Sequence, residues 1–282
     1  MLIFKTVVEL QQFLFSCTNK TIGFVPTMGA LHQGHISLMA KAIEENDLMV
    51  CSIFVNPTQF NNKEDLEKYP RHTDKDLALI NNAFTDDNVV VFLPDVTEIY
   101  PKKIEKNYDF GNLSSVMEAQ HRPGHFNGVG MVIERFFNII KPTKAYFGEK
   151  DFQQLAVVRN LVKQLKLPVQ IIGCPIVREA NGLAMSSRNE RLSPEQKEQA
   201  ANIYTFLQDA KQQAKTLTIN EVKNNFIRAI KNIPALQLEY FEIADGNTLT
   251  SIKNWEETTY CVAFVAVFVG NVRLIDNVTL YV

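Results

Sequence analysis

His32 and His35, separated by Gln33 and Gly34, stand where a short strand gives way to a helix, and that placement suits them to hold phosphate. The strand is the β-branched and aromatic run 22–25, which Pro26 and Gly29 break into a loop. From His35 onward the apolar residues fall at Ile36, Leu38, Met39, Ala42 and Ile43, which is helical spacing. A helix N-terminus offers unpaired backbone N–H groups and the positive end of the peptide dipole. Two imidazoles there add donors toward phosphate oxygens, and Gly34 lets the backbone approach without a Cβ in the way. An isolated pair of this kind more often ends a loop than binds a ligand; the preceding strand and two stretches downstream weigh toward a ligand.

Other chemistry-bearing residues sit at similar places. The apolar run 48–55 lacks alternation, as suits a parallel strand buried on both faces, and it ends in Asn56-Pro57-Thr58-Gln59. Asn56 and Gln59 can offer amides to a small polar ligand beyond a strand end; a turn with a solvated Gln59 is an even alternative. Lys144 to Phe147 runs as a strand into Gly148-Glu149-Lys150-Asp151 and then a helix over 152–165. Gly148 permits the tight turn and Lys150 brings a point charge to a phosphate, the plainer reading being a solvated lysine. Residues 178–189 form a mobile-looking loop with Arg178, Ser186, Ser187 and Arg188, able to wrap a triphosphate and follow its charge onto a leaving pyrophosphate. Taken alone, it also reads as a Ser-rich linker. The His- and Gly-rich stretch 121–128, before a helix over 129–140, reads as a ligand-facing loop or a surface connection.

Positioning these turns requires a sheet with strands pointing one way. Strand 22–25, the helix from His35 and strand 48–55 make a βαβ unit. Further strands are expected at 2–4, 89–93, 108–110, 144–147 and 169–173, with helices at 7–15, at 74–83 behind a Thr73 cap, and at 116–120. Beyond residue 175 the pattern changes. Ser193-Pro194-Glu195-Gln196 is a capping box opening a long helix, and Thr218 with Glu221 repeats it. Strands 236–243, 261–269 and 272–276 then follow without helices between them, the last two joined by a Gly270-Asn271 hairpin turn. The expectation is an α/β protein: a Rossmann-like parallel-sheet domain over 1–175 and a smaller C-terminal α+β lid domain over 176–282.

With 282 residues, 46% of them hydrophobic, and a formal net charge of −2, the chain has an ordinary globular composition. No basic excess advertises nucleic acid or an anionic membrane. Cys17, Cys51, Cys174 and Cys261 are scattered, and read as buried reduced thiols rather than a disulfide frame or a zinc site. The N-terminus lacks a signal peptide's layout, and the longest apolar run, 261–269, is about half of what a membrane helix needs. A soluble, cytoplasmic protein is expected.

Taken in order, these stretches resemble the pantothenate synthetase (pantoate–β-alanine ligase) family, within the His-x-Gly-His nucleotidyltransferase-like superfamily. The resemblance rests on Pro26 to His35, Phe54 to Phe60, Tyr69-Pro70-Arg71, Arg122 to Phe126, Phe147 to Gln154, Met185 to Asn189 and Arg273 to Asn277. A lone His-x-Gly-His is shared with class I aminoacyl-tRNA synthetases and other nucleotidyltransferases; the ordered set is far more specific. It implies ATP-dependent joining of (R)-pantoate to β-alanine through a pantoyl-adenylate, with release of pyrophosphate and then AMP. By the same resemblance His35 is the catalytic histidine, assisted by His32 and Lys150. ATP would lie along Met28, Gly29, Ala30, Leu31, His32, Gln33, Gly34 and His35, and along Gly148, Glu149, Lys150 and Asp151. Val177, Met185, Ser186, Ser187 and Arg188 would complete its site. Gln59 and Gln154 would hold the pantoate hydroxyls and carboxylate, with Gln59 also near β-alanine; Asn56 joins this substrate-binding set from its place at the strand end. The resemblance further implies Mg²⁺ and a homodimer. Met131 departs from the pattern, standing near the pantoate pocket where the family often has threonine. The readings left over are a nucleotidyltransferase that adenylates a phosphate, and a non-catalytic nucleotide sensor.

Overall fold

The computed structural model describes residues 1–61, 63–85, 87–102 and 105–281. Its main sheet is parallel and runs β1-β4-β3-β2-β5-β6. These strands are β1 (Leu2–Phe4), β2 (Ile22–Thr27), β3 (Leu48–Ile53), β4 (Val89–Phe92), β5 (Lys144–Gly148) and β6 (Gln170–Cys174). The helices threaded between them are α1 (Val7–Ser16), α2 (Gln33–Glu45), α3 (Lys63–Glu67), α4 (Thr73–Ala83), α5 (Val96–Ile99), α6 (Glu118–His121), α7 (His125–Ile140) and α8 (Phe152–Leu165).

The continuous apolar strands become central because both of their faces are covered. Alternate residues of β2 point opposite ways. Val25 packs with Leu38, Met39 and Ala42 of α2 and with Cys51 and Val91 of the neighbouring strands. Phe24 meets Phe136 and Phe137 of α7 on the other face, their ring centroids 5.5 and 6.2 Å away. Phe24 is fully buried, and burial of a side chain that size contributes about 2–3 kcal/mol. From β2 the chain moves through α2 to β3 and onward to β4 on one side, while β5 and β6 lie on the other. The direction therefore reverses at β2 and β5, whose carboxyl ends flank the switch point where ligands bind in open α/β sheets.

The second sheet is antiparallel: β7 (Leu236–Asp245), β8 (Cys261–Val269) and β9 (Val272–Tyr281), in that order. Helices α9 (Pro194–Gln213) and α10 (Ile219–Lys231) bury Ala200, Ile203, Leu207, Val222, Phe226 and Ile230 in one core with this sheet. Phe226 stacks on Phe241 at 3.8 Å. Both helices open with the expected capping boxes, at Ser193 with Gln196 and at Thr218 with Glu221. Gly270 adopts φ 58° in the β8–β9 turn.

The chain divides into two compact units. One comprises Met1–Phe110, His121–Glu149 and Gln154–Pro175; the other comprises Gly111–Gln120, Lys150–Gln153 and Ile176–Val282. Side chains within the second unit explain why its two short segments belong there. Buried Gln153 donates to the Leu113 and Val116 carbonyls, both at 2.9 Å, and accepts the Glu118 N–H at 3.1 Å. Glu118 in turn takes the Arg273 guanidinium of β9 through both oxygens, at 2.8 and 2.7 Å.

Several expected elements differ. Residues 108–110 form no strand; Tyr108 and Phe110 stack on each other instead, 5.6 Å apart. The anticipated 121–128 loop is cut short, since α7 starts at His125, and the helix expected over 116–120 is α6. His72, not Thr73, stands at the N-cap position of α4, and Thr73 is its first helical residue. Cys51, Cys174 and Cys261 are buried as anticipated, but Cys17 is half-buried. Burial pushes the Cys51 thiol up to about 12 and those of Cys174 and Cys261 to about 11, so all three are poor nucleophiles. No helix among the described residues is long and apolar enough to cross a membrane.

Candidate active site

The turn after β2 is held from behind by a residue that the sequence did not single out. Asp76 of α4, only 3% exposed, accepts the Ala30 N–H at 3.0 Å and the Leu31 N–H at 2.7 Å. The turn needs that hold because Gly29 and Ala30 both adopt left-handed backbone, with φ 77° and 48°. That conformation costs a Cβ-bearing residue about 1 kcal/mol. At Gly29 a Cβ would also approach Asp76 Oδ2 to 2.9 Å. The one sequence signal for Asp76 is its helical position, one turn before buried Ile80. Asp76→Asn keeps the shape but turns an amide toward one of these N–H groups. Hydrogen bonds to charged groups contribute about 1.5–3 kcal/mol, so urea unfolding should show a loss of roughly 2 kcal/mol; a change under about 0.5 kcal/mol would remove the cradle from the account.

Beyond the cradle, two imidazoles cap α2 reciprocally. His32 Nδ1 accepts the Gly34 N–H at 3.1 Å, and His35 Nδ1 accepts the His32 N–H at 3.3 Å. Their ring centroids are 4.1 Å apart. A backbone N–H only donates, so Nδ1 must be the bare nitrogen in each ring, and each Nε2 carries the hydrogen. The arrangement thus fixes two Nε2–H donors at a helix start beside the switch point.

Gln59 belongs to the same cluster, since its Nε2 reaches Met28 Sδ at 2.8 Å. Asn56 does not offer its amide outward as expected. Its Nδ2 donates to Gln59 Oε1 and to the Gly128 carbonyl, both at 3.1 Å, while its Oδ1 accepts from Thr58 and the Tyr100 hydroxyl. Its amide is saturated inside the protein, and its effect is to aim Gln59. His125, also missed as a positioning group, holds the Gln59 main chain from the other side: His125 Nδ1 lies 2.8 Å from the Gln59 carbonyl and Nε2 3.0 Å from Arg122 Nη1. Arginine can only donate, so Nε2 accepts and Nδ1–H donates to the carbonyl. Gly148 and Glu149 close the end of β5 next to β2, and Gln154 is half-buried at the start of α8. Met131 is half-buried on α7.

The remaining predicted residues lie in the second unit. Lys150, whose side chain is 18% exposed, has Nζ 3.7 Å from Asp151 Oδ2. Stretch 178–189 is not one loop but a tight hairpin over 177–185 followed by the start of a 3₁₀ turn. The Met185 N–H bonds the Val177 carbonyl at 3.0 Å, Arg178 pairs with Ala184, and Gly182 turns the chain at φ 95°. Ser186 caps the short 3₁₀ turn Ser187–Arg191 by accepting the Arg188 N–H at 3.3 Å. Lys150 and Ser186 line one pocket with Tyr204 and Asp276. Of the two arginines, Arg178 is committed to Asp276, and Arg188 stands within the 3₁₀ turn. Among the described residues no cluster of three His, Cys, Asp or Glu could hold a metal ion.

A parallel α/β sheet with a His-x-Gly-His helix start at its switch point defines a nucleotide-binding protein of the nucleotidyltransferase-like class. Comparison with known proteins narrows the class. The chain belongs to the pantoate–β-alanine ligase family, whose model matches residues 2–279. It is 52% identical to the pantothenate synthetase of Azobacteroides pseudotrichonymphae, across 98% of this chain and 99% of that one. Identity to the Porphyromonas gingivalis pantothenate synthetase is 49%, covering 98% of each chain. Among solved structures, pantothenate synthetase from Thermus thermophilus superposes with a TM-score of 0.93 at 39% identity, covering both chains completely. Pantoate–β-alanine ligase from Francisella tularensis, crystallised with β-γ ATP and β-alanine, gives 0.82 at 35% identity, over 99% of this chain and 98% of that one.

Proposed function

We propose that this protein condenses (R)-pantoate with β-alanine in two steps, using ATP. The observation that carries the reading is the reciprocal His32–His35 cap, which sets two Nε2–H donors at the helix start beside the switch point. In the first step a pantoate carboxylate oxygen attacks the α-phosphorus, the bond to the bridging oxygen breaks, and pyrophosphate leaves with its electron pair. The site must hold two anions together and absorb charge growing on the leaving group. His35 and His32 are suited to donate to phosphate oxygens, and so are Lys150, Ser186, Ser187 and Arg188. In the second step the neutral amine of β-alanine attacks the acyl carbon and AMP leaves, the amine proton passing to solvent or phosphate.

Gln59 and Gln154 hold the pantoate hydroxyls and carboxylate, with Gln59 kept in place by Asn56 and His125. Mg²⁺ bound with the triphosphate would screen the charge of its phosphate oxygens. Residues 1–175 serve as the nucleotide- and pantoate-binding domain and 176–282 as a lid. The protein acts in the cytoplasm as a homodimer. Isotope exchange between pyrophosphate and ATP tests the reading: exchange should require pantoate, and AMP should appear only on adding β-alanine. Exchange without pantoate, or none at all, would refute it.

A further inference from the structure

Asp276 and Asn277 are adjacent on β9, 6% and 7% exposed, and no chemical step uses them. Asp276 receives the Arg178 guanidinium as a fork, Nη1 to Oδ2 at 2.6 Å and Nη2 to Oδ1 at 2.9 Å. The same guanidinium lies 3.6 Å from the Tyr204 ring centroid and donates to the Gly182 carbonyl at 3.1 Å. Asp276 therefore holds the turn of the hairpin whose far strand runs into Met185 and Ser186. Asn277 serves the other cationic element: its Nδ2 donates to the Lys150 carbonyl at 3.1 Å, and its own N–H bonds Asp276 Oδ1 at 2.8 Å. Lys150, Ser186, Tyr204 and Asp276 all line one pocket.

We propose that Asp276 and Asn277 are a positioning pair for the triphosphate, holding the 177–185 hairpin with one side chain and the Lys150 main chain with the other. The pair rests on the functional reading above, in which Lys150 and Ser186 to Arg188 take polyphosphate. A buried carboxylate near a phosphate site would repel the ligand; locked to Arg178, Asp276 presents a neutral unit and spends its hydrogen bonds on geometry. A hairpin free to shift by an ångström would lose much of the benefit of prepaid orientation.

Affinity, measured by titration calorimetry with a non-hydrolysable ATP analogue and separately with pantoate, tests the pair. Asp276→Asn should weaken analogue binding about tenfold or more, the size of one charge-assisted bond, while pantoate affinity stays within about twofold. Asp276→Glu, which keeps the charge, should recover part of the loss. If Asp276→Asn fails to fold, Asn277→Ser decides: it removes the side-chain bond to the Lys150 carbonyl while leaving the Arg178–Asp276 fork in place, and should weaken the analogue about threefold or more. Unchanged analogue affinity, equal losses for analogue and pantoate, or an unaltered protein that binds no analogue would each overturn the pair. Pantoate-dependent exchange by the unaltered protein is a separate readout. Analogue binding without exchange would sink the ligase reading while the affinity ratios still judged the pair.

Discussion

His35→Ala should lower pantoate-dependent ATP–pyrophosphate exchange by about a hundredfold or more, the range for removing a preorganised donor aimed at developing charge. Two contributions are lost at once. The Nε2–H donor disappears, and so does the Nδ1 acceptor that takes the His32 N–H. Loss of a cap costs about 1 kcal/mol of stability, too little to explain a hundredfold fall in a folded enzyme. His35→Asn separates the two effects. Its side-chain oxygen can accept the same N–H, but its amide is too short to reach where the imidazole Nε2 stands. Thermal melting of the Asn variant should return most of the way to that of the unaltered protein while exchange stays low. Exchange within a few-fold of the unaltered protein in either variant would show His35 to be misassigned.

The parts of the fold legible in the sequence are those fixed by near neighbours. Strand β3 reads as a buried parallel strand because its residues are apolar without alternation, β2 reads as a strand from its β-branched and aromatic run, and both capping boxes lie within four residues of chain. Burial of a polar side chain was not legible, because a partner far along the chain decides it. Asp76 meets Ala30 across 46 residues and Asn56 meets the Gly128 carbonyl across 72. Nothing local distinguishes Asp76 from Asp74 except helical phase. Asn56 looked outward-facing for the converse reason: a strand end is where ligands bind, yet an amide there can be consumed by the protein's own turn. Segments 111–120 and 150–153 lie in sequence among residues of the first unit, and the contacts of Gln153 and of Glu118 with Arg273 explain why they group with the second sheet. Glycine-rich composition misled at 121–128. Gly128 reads as a turn residue, but it lies within α7, where it permits close packing on Thr58, as Gly130 further along the same helix does on Tyr108 and Phe110.

Gly128 makes the second large prediction, and two opposing effects decide its sign. In a helix interior alanine is favoured over glycine by about 1 kcal/mol, so Gly128→Ala in open space would stabilise. Here the added Cβ would stand 2.2 Å from the Thr58 carbonyl oxygen, 2.5 Å from its carbon and 2.6 Å from Gln59 Cα. All three are backbone atoms, so no side chain can swing aside. Either α7 or the 57–59 turn must move by more than an ångström, breaking the Asn56 bond to the Gly128 carbonyl and the His125 bond to the Gln59 carbonyl. Overpacking of this severity outweighs the helix gain, and urea unfolding should show a net loss of roughly 3 kcal/mol or more. Exchange in the fraction that remains folded should require much more pantoate, because Gln59 is carried by the displaced turn. Gly148→Ala supplies the contrast for stability, since nothing lies within 4 Å of its would-be Cβ; its unfolding midpoint should hardly change. A Gly128→Ala protein as stable as the parent would mean that the 57–59 turn does not rest on α7. The account of how Gln59 is aimed would then fall, while the His32–His35 cap, built by other residues, would stand.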